Sequence, residues 1–140
     1  MKRRILLGSL LLAVVPAQAN RAELQAAILA YTGGKTPRAE KVHLEIASLV
    51  ENGNTVPVKV RVDSAMSAEE HVVGIALFNE LNPQRDVARF SLTPANGKAE
   101  VGTRIRLASS QQLVAVALMS DGSCCSQAVD VVVTLAACVE

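Results

Sequence analysis

The chain has 140 residues and a mass of 14.7 kDa, which is one domain's worth, and half of its residues are hydrophobic, enough for a buried core. Aromatics make up 2% and Trp is absent, so there is no stacking platform for single-stranded nucleic acid. The formal charge is +1, and removing the three bases of the first nineteen residues leaves −2; neither value offers a surface for a polyanion.

Residues 1–19 read as a secretory signal peptide. Met1–Arg4 is a basic start, Ile5–Val15 is an apolar run, Pro16 ends it, and Ala17-Gln18-Ala19 has the small-x-small form of a cleavage site. The apolar run is too short for a membrane span of ~20 residues. Arg3-Arg4 fits a twin-arginine signal and the short, greasy run fits Sec, so both routes stay open, and both lead to the periplasm. No other segment predicts a span, and no membrane or nucleic-acid partner is expected.

Residues 20–40 predict a short helix and a linker. Asn20 and Glu23 have capping-box spacing, Leu24, Ile28 and Tyr31 share one face, and Gly33-Gly34 stops the helix. From residue 41 the hydrophobic period becomes two. Val42, Leu44 and Ile46 alternate with polar residues; Asn52-Gly53 marks a turn; Val56, Val58, Val60 and Val62 share a face. Val72–Phe78 and Leu113–Met119 are near-continuous apolar runs, as expected of strands covered on both sides. Ala88–Leu92, Ala99–Leu107 and Val129–Leu135 complete seven strands, with a turn over Ser120–Ser126. This spacing predicts an all-β fold, an immunoglobulin-like antiparallel β-sandwich over residues 41–135, preceded by the short helix and followed by a tail, 136–140.

Few residues could carry chemistry. His43 falls on the polar face of an edge-like strand and His71 opens a buried one, and neither has metal-ligand spacing to Cys or Asp. Glu69 and Glu70 read as a solvated turn; Arg104 and Arg106 share a strand face, either as plain solvated charge or as a docking stripe. There is no phosphate loop, nucleophile elbow or Ser/His/Asp signature, so no metal or cofactor is expected. The three cysteines are the informative residues, an odd number for an oxidising compartment. Cys124 and Cys125 are adjacent in the predicted turn, where a strained vicinal disulfide, a redox role and two free thiols are all open. Cys138 lies beyond the last predicted strand, about 10 Å past the sheet if the chain is extended. Its neighbour Glu140 is acidic and no base is near, so the thiol is reachable but unassisted. That suits a carrier served by other enzymes better than a self-contained catalyst. A structural disulfide from Cys138 to Cys124, Cys125 or another chain is the plain alternative.

The chain resembles the SoxY family, the sulfur-carrying subunits of the bacterial thiosulfate-oxidising Sox system. The resemblance runs from about Val42 to Thr134. It rests on Glu51-Asn52-Gly53 with Val56-Pro57-Val58, Val62-Asp63-Ser64-Ala65-Met66, Asn82-Pro83, Thr93-Pro94-Ala95-Asn96-Gly97-Lys98-Ala99-Glu100-Val101, Thr103-Arg104-Ile105-Arg106-Leu107, Val114-Ala115-Val116-Ala117 and Met119-Ser120-Asp121-Gly122. The resemblance implies an immunoglobulin-like sandwich that pairs with a SoxZ-like subunit. It implies a C-terminal cysteine, here Cys138, as the covalent attachment site. It also implies transient partners: a SoxXA-like haem enzyme that joins thiosulfate to the cysteine, a SoxB-like hydrolase that releases sulfate, and a SoxCD-like molybdenum enzyme that oxidises the remaining sulfur.

The tail departs from that family. Its pattern is Gly-Gly-Cys-Gly-Gly, whereas this chain has Ala136-Ala137-Cys138-Val139-Glu140. Glycines reach backbone conformations closed to residues with a Cβ, Val139 is stiff at χ1, and Glu140 adds an anion beside an anionic substrate. Three readings follow: a carrier on Cys138, a paralogue that keeps the scaffold as a structural or regulatory binding module, and a thiol-redox enzyme using all three cysteines. The last lacks a Cys-x-x-Cys motif and a nearby base.

Overall fold

The computed structural model describes residues 16–135. Residues 1–15 of the expected signal peptide (1–19) and the expected tail 136–140, with Cys138, lie outside the described residues.

Helix α1 spans Pro16–Thr32. It starts four residues before the expected Asn20, with Pro16 at the first helical position, where its missing N–H costs nothing. Asn20 is therefore inside the helix and the expected capping box is not what its spacing serves. Asn20 and Glu23 share a face and both accept from Arg85, at 3.3 and 2.5 Å. The glycine stop is as expected: Gly33 and Gly34 have φ of 72° and 92°, and Gly34 N–H donates to Leu29 O at 2.8 Å.

All seven expected strands are present, with one short strand more. They are β1 (Val42–Glu45), β2 (Leu49–Val50), β3 (Val56–Val62), β4 (Val72–Asn79), β5 (Asp86–Ser91), β6 (Glu100–Ile105), β7 (Gln111–Met119) and β8 (Cys124–Val133). One sheet has the order β1-β3-β6 and the other β2-β8-β7-β4-β5. Residues 46–48 carry the chain from the edge of the first sheet to the edge of the second. It arrives there running the same way as β8, so β2 pairs with β8 in parallel, Leu49 opposite Val132. The other pairings between the strands are antiparallel.

The core lies between the sheets, and the period-two pattern builds it. Val56, Val58, Val60 and Val62 of β3 point inward and meet Ile75, Leu77, Leu113, Ala115, Ala117, Cys125 and Val131 from the facing sheet. The opposite face of β4 and β7 is covered by α1. Leu24 and Ile28 pack there on Ala76, Phe78, Val114 and Val116, which is why these two strands read as unbroken apolar runs. Burial of Leu24 and Ile28 contributes about 1.5–3 kcal/mol each. Tyr31 lies tilted against Phe78, 5.6 Å between centroids, and its hydroxyl crosses Gly74, where a Cβ would sit 2.7 Å away. Only glycine fits there without a shift.

Two boundaries differ from the sequence pattern. The expected turn over Ser120–Ser126 closes by Ser123: Asp121 Oδ1 accepts from Ser123 N–H at 2.9 Å, and Gly122 supplies φ of 87°. Strand β8 thus begins at Cys124. It also ends at Val133, so Leu135, expected on the inner face, is 59% exposed. The linker is docked as well. Arg38 N–H donates to Cys124 O at 3.0 Å, and Ser126 N–H donates to Arg38 O at 2.8 Å.

Candidate functional site

The two ends of β8 define two poles of the sandwich. At the first pole, Cys124 and Cys125 stand opposite Leu118 and Ala117 of β7. They are buried strand residues and not turn residues. Both are free thiols. Successive strand residues face opposite ways, so the Cys125 side chain enters the inter-sheet core while Cys124 faces the linker, its Sγ 3.8 Å from Lys35 O. The two sulfurs point apart, which is no geometry for a vicinal disulfide. Burial pushes the Cys125 thiol above its ordinary pKa, and the charge of Glu40 adds to this; a buried thiol of this kind is a poor nucleophile.

The same pole carries His43. It lies on β1, at the edge of the three-stranded sheet as expected, and its Nε2 is 2.9 Å from Asp63 Oδ2. Arg61 donates to the other carboxylate oxygen at 3.0 Å. The His43 hydrogen bond, with help from Arg61, holds the Asp63 carboxyl below its usual pKa. His71 precedes β4, with Nδ1 3.0 Å from Ser67 O. Glu69 and Glu70 are exposed. Among the described residues, no three His, Cys, Asp or Glu side chains converge as a metal site would require, and no helix is long and apolar enough to cross a membrane.

At the second pole β8 ends and the tail begins. Thr134 N–H donates to Val50 O at 2.9 Å. Gly53 N–H donates to Leu135 O at 2.8 Å, and Gly53 O accepts from Leu107 N–H at 2.8 Å. Ser110 Oγ accepts from Val133 N–H at 2.8 Å. The root of the tail is therefore tied to two separate segments, residues 50–53 and Ser110. Around it Leu49, Val132 and Leu135 are 56%, 53% and 59% exposed.

Beneath this pole sits a buried polar network that the hydrophobic pattern does not announce. Asn79, Glu80, Asn82 and Gln111 are all buried. Asn82 Oδ1 accepts from Gln111 Nε2 at 2.8 Å and from Ala108 N–H at 3.0 Å; its Nδ2 donates to Arg106 O at 2.7 Å; its N–H donates to Asn79 Oδ1 at 2.8 Å. Glu80 accepts from Gln112 N–H at 3.1 Å and faces Arg21 at 3.5 Å. Satisfied networks of this kind fix the loops they join. The only sequence signal for it is the Asn82-Pro83 pair. Arg104 and Arg106 are both exposed, and neither makes an ion pair among the described residues. Arg104 lies on β6 opposite Pro57, and Arg106 lies just beyond the strand.

A family model described as "Sulfur oxidation protein SoxY" matches residues 28–138. Among solved structures, the sulfur carrier protein SoxY from Chlorobium limicola f thiosulfatophilum is similar at a TM-score of 0.67 and 28% identity, over 82% of this chain and 99% of that one. A superoxide reductase (neelaredoxin) from Ignicoccus hospitalis is similar at 0.59 and 18%, over 67% of this chain and 80% of that one. A superoxide reductase from Nanoarchaeum equitans is similar at 0.57 and 12%, over 68% and 99%. The likeness to the two reductases shows the fold alone. No curated protein matches the chain in sequence. The chain belongs to the SoxY family of sulfur oxidation proteins and has that family's fold.

Proposed function

We propose that this SoxY-family chain is a periplasmic carrier that holds thiosulfate-derived intermediates covalently on Cys138. It works as a heterodimer with a SoxZ-like subunit. The division of labour is the one the sequence suggests: residues 1–19 for export, the helix and linker of 20–40, a scaffold over 41–135, and a carrier tail at 136–140. The observation that carries the reading is the family match, which spans the scaffold and reaches Cys138. The burial of Cys124 and Cys125 supports it, because it withdraws two of the three thiols from exchange.

The chemistry follows from what the chain lacks. No base accompanies Cys138 in the sequence, so deprotonation and oxidation fall to an enzyme that receives the tail. A SoxXA-like haem enzyme removes two electrons and the thiol proton as the Cys138 sulfur bonds to the outer sulfur of thiosulfate. A SoxB-like enzyme then hydrolyses the sulfonate off as sulfate, and a SoxCD-like enzyme oxidises the sulfur left behind. The carrier supplies a covalent anchor and a recognisable body, and needs no cofactor of its own.

The geometry argues against a redox cycle among the three cysteines. Cys125 lies about 27 Å from Val133 along β8. Five residue steps from Val133 to Cys138 reach about 17 Å at most, and a disulfide joins Cα atoms no more than about 7 Å apart. Cys138 therefore falls short of both buried thiols of its own chain. The altered tail favours one other reading, a paralogue that keeps the scaffold and the SoxZ-like partner without carriage. A Cys138→Ala chain tests it in cells lacking other carriers: carriage requires thiosulfate oxidation to stop, and continued oxidation selects the binding module.

A further inference from the structure

The tail-root pole holds a cavity of about 290 Å³ between the β4–β5 loop and the end of β6. Asn79, Asn82, Gln84, Asp86, Val87 and Arg106 line it. Arg106 brings a full positive charge with no ion pair among the described residues. The one acid on the wall, Asp86, is engaged by Arg89. Arg85, between the lining residues Gln84 and Asp86 in sequence, is turned to Asn82 O and to Glu23 of α1 and lines no part of the cavity. The cavity is thus polar, with the Asp86 carboxylate taken up by Arg89 and the Arg106 guanidinium left without a counter-ion among the described residues.

Its place relative to the tail is fixed by two hydrogen bonds. Leu135 O accepts from Gly53 N–H, and Gly53 O accepts from Leu107 N–H. Two such bonds and the backbone between them put Arg106 within about 14 Å of Leu135. Three residue steps take Cys138 up to about 10 Å from Leu135. The length of a thiosulfate adduct and of the arginine side chain closes the difference. The other unpaired arginine, Arg104, lines no part of this cavity.

We infer that the Arg106 cavity is a resting site for the anionic sulfonate end of the adduct on Cys138, holding it between visits to partner enzymes. The inference rests on the carrier reading and adds to it a second site on the body of the carrier. Guanidinium matches a sulfonate as it matches a carboxylate, by two parallel N–H donors, and the exposed Gln84 amide on the wall is a further donor, the Asn79 and Asn82 amides being engaged with backbone carbonyls. Resting there would shield the sulfur–sulfur bond from adventitious thiols. It also gives the altered tail a reason to tolerate a stiff Val139, because a tail that docks on its own body gains from losing fewer conformations.

The test uses the full-length mature protein loaded chemically, so it does not depend on whether cells load it. Tetrathionate reacts with the Cys138 thiolate at an inner sulfur, giving Cys–S–S–SO3⁻ and releasing thiosulfate. Adduct loss to a neutral dithiol is then timed by mass spectrometry for the parent and for the Arg106→Gln and Arg104→Gln chains. Arg106→Gln is expected to speed loss about fivefold or more, as suits a charge-assisted hydrogen bond, while Arg104→Gln stays within about twofold of the parent. Loading is also expected to shift the Arg106 Nε–Hε and Asn82 side-chain amide resonances. Equal rates in all three chains, or equal acceleration by both substitutions, would overturn the inference. So would unmoved resonances. An unloaded Cys138 in thiosulfate-grown cells would instead overturn carriage, whatever the chemically loaded chain does.

Discussion

Strand β8 joins two unlike regions, a pair of buried cysteines at its start and the root of the tail at its end. At its start, Cys124 and Cys125 sit in a closed hairpin, hydrogen-bonded to β7 on one side and to the docked linker on the other. At its end the strand is tied by Gly53, Val50 and Ser110, and the chain then continues toward Cys138. One pole spends its cysteines as small hydrophobes, with the Cys125 thiol pushed toward its neutral form. The other builds a fixed platform at the root of the tail, three residues before Cys138 in the sequence. A carrier needs both: a thiol that partner enzymes can draw in, and other thiols that cannot compete for the cargo.

The sharpest way to break this contrast is to move the reactive function. Cys138→Ala is expected to abolish adduct formation on the purified protein, while Cys124→Ala and Cys125→Ala chains remain loaded, as read by intact mass. Loss of loading in either of the latter, with the fold intact by circular dichroism, would make the poles interdependent. Next in size is the platform. Asn82→Ala removes the acceptor for Gln111 and Ala108 and the donor to Arg106 O, and is expected to cost about 2–3 kcal/mol in urea unfolding. Cys125→Ala leaves a small gap in the core and is expected to cost about 1–2 kcal/mol. The pole carrying His43 gives the smallest effect. The Asp63 carboxyl titrates lower in the folded chain than in the unfolded one. Its contribution is therefore complete above the unfolded pKa of about 3.9 and is lost as pH falls through the lower folded value. Asp63→Asn should leave stability more nearly level across that acid range, measured as unfolding midpoints between pH 5 and pH 2 (roughly the range in which such a carboxylate titrates).

The sandwich was legible because burial alternates where one face meets the core. Val56–Val62 shows this, and the unbroken runs of β4 and β7 announced a second cover, which α1 supplies. Three things were not legible, each for a physical reason. Cys124 and Cys125 looked like turn residues because Ser126 and Gln127 follow them without an apolar alternation, yet Asp121 and Gly122 close the hairpin early. Strand β2 has two residues and owes its existence to its register with Val132, which no local pattern encodes. The network around Asn82 joins residues 79 to 111, and polar residues between strands read as loop whether or not they are buried. The proposed carrier residue, Cys138, was read from its position beyond the expected strands and from the family resemblance.

The central claim is that cargo goes to Cys138 and to neither buried thiol. It is tested most directly by peptide mapping of the mature protein, co-purified with its partner subunit from cells grown on thiosulfate and kept unreduced. The account predicts a reductant-sensitive sulfur adduct on the peptide holding Cys138, with Cys124 and Cys125 recovered as free thiols. An unmodified Cys138, or one joined by a disulfide to Cys124 or Cys125 of its own chain, would contradict it.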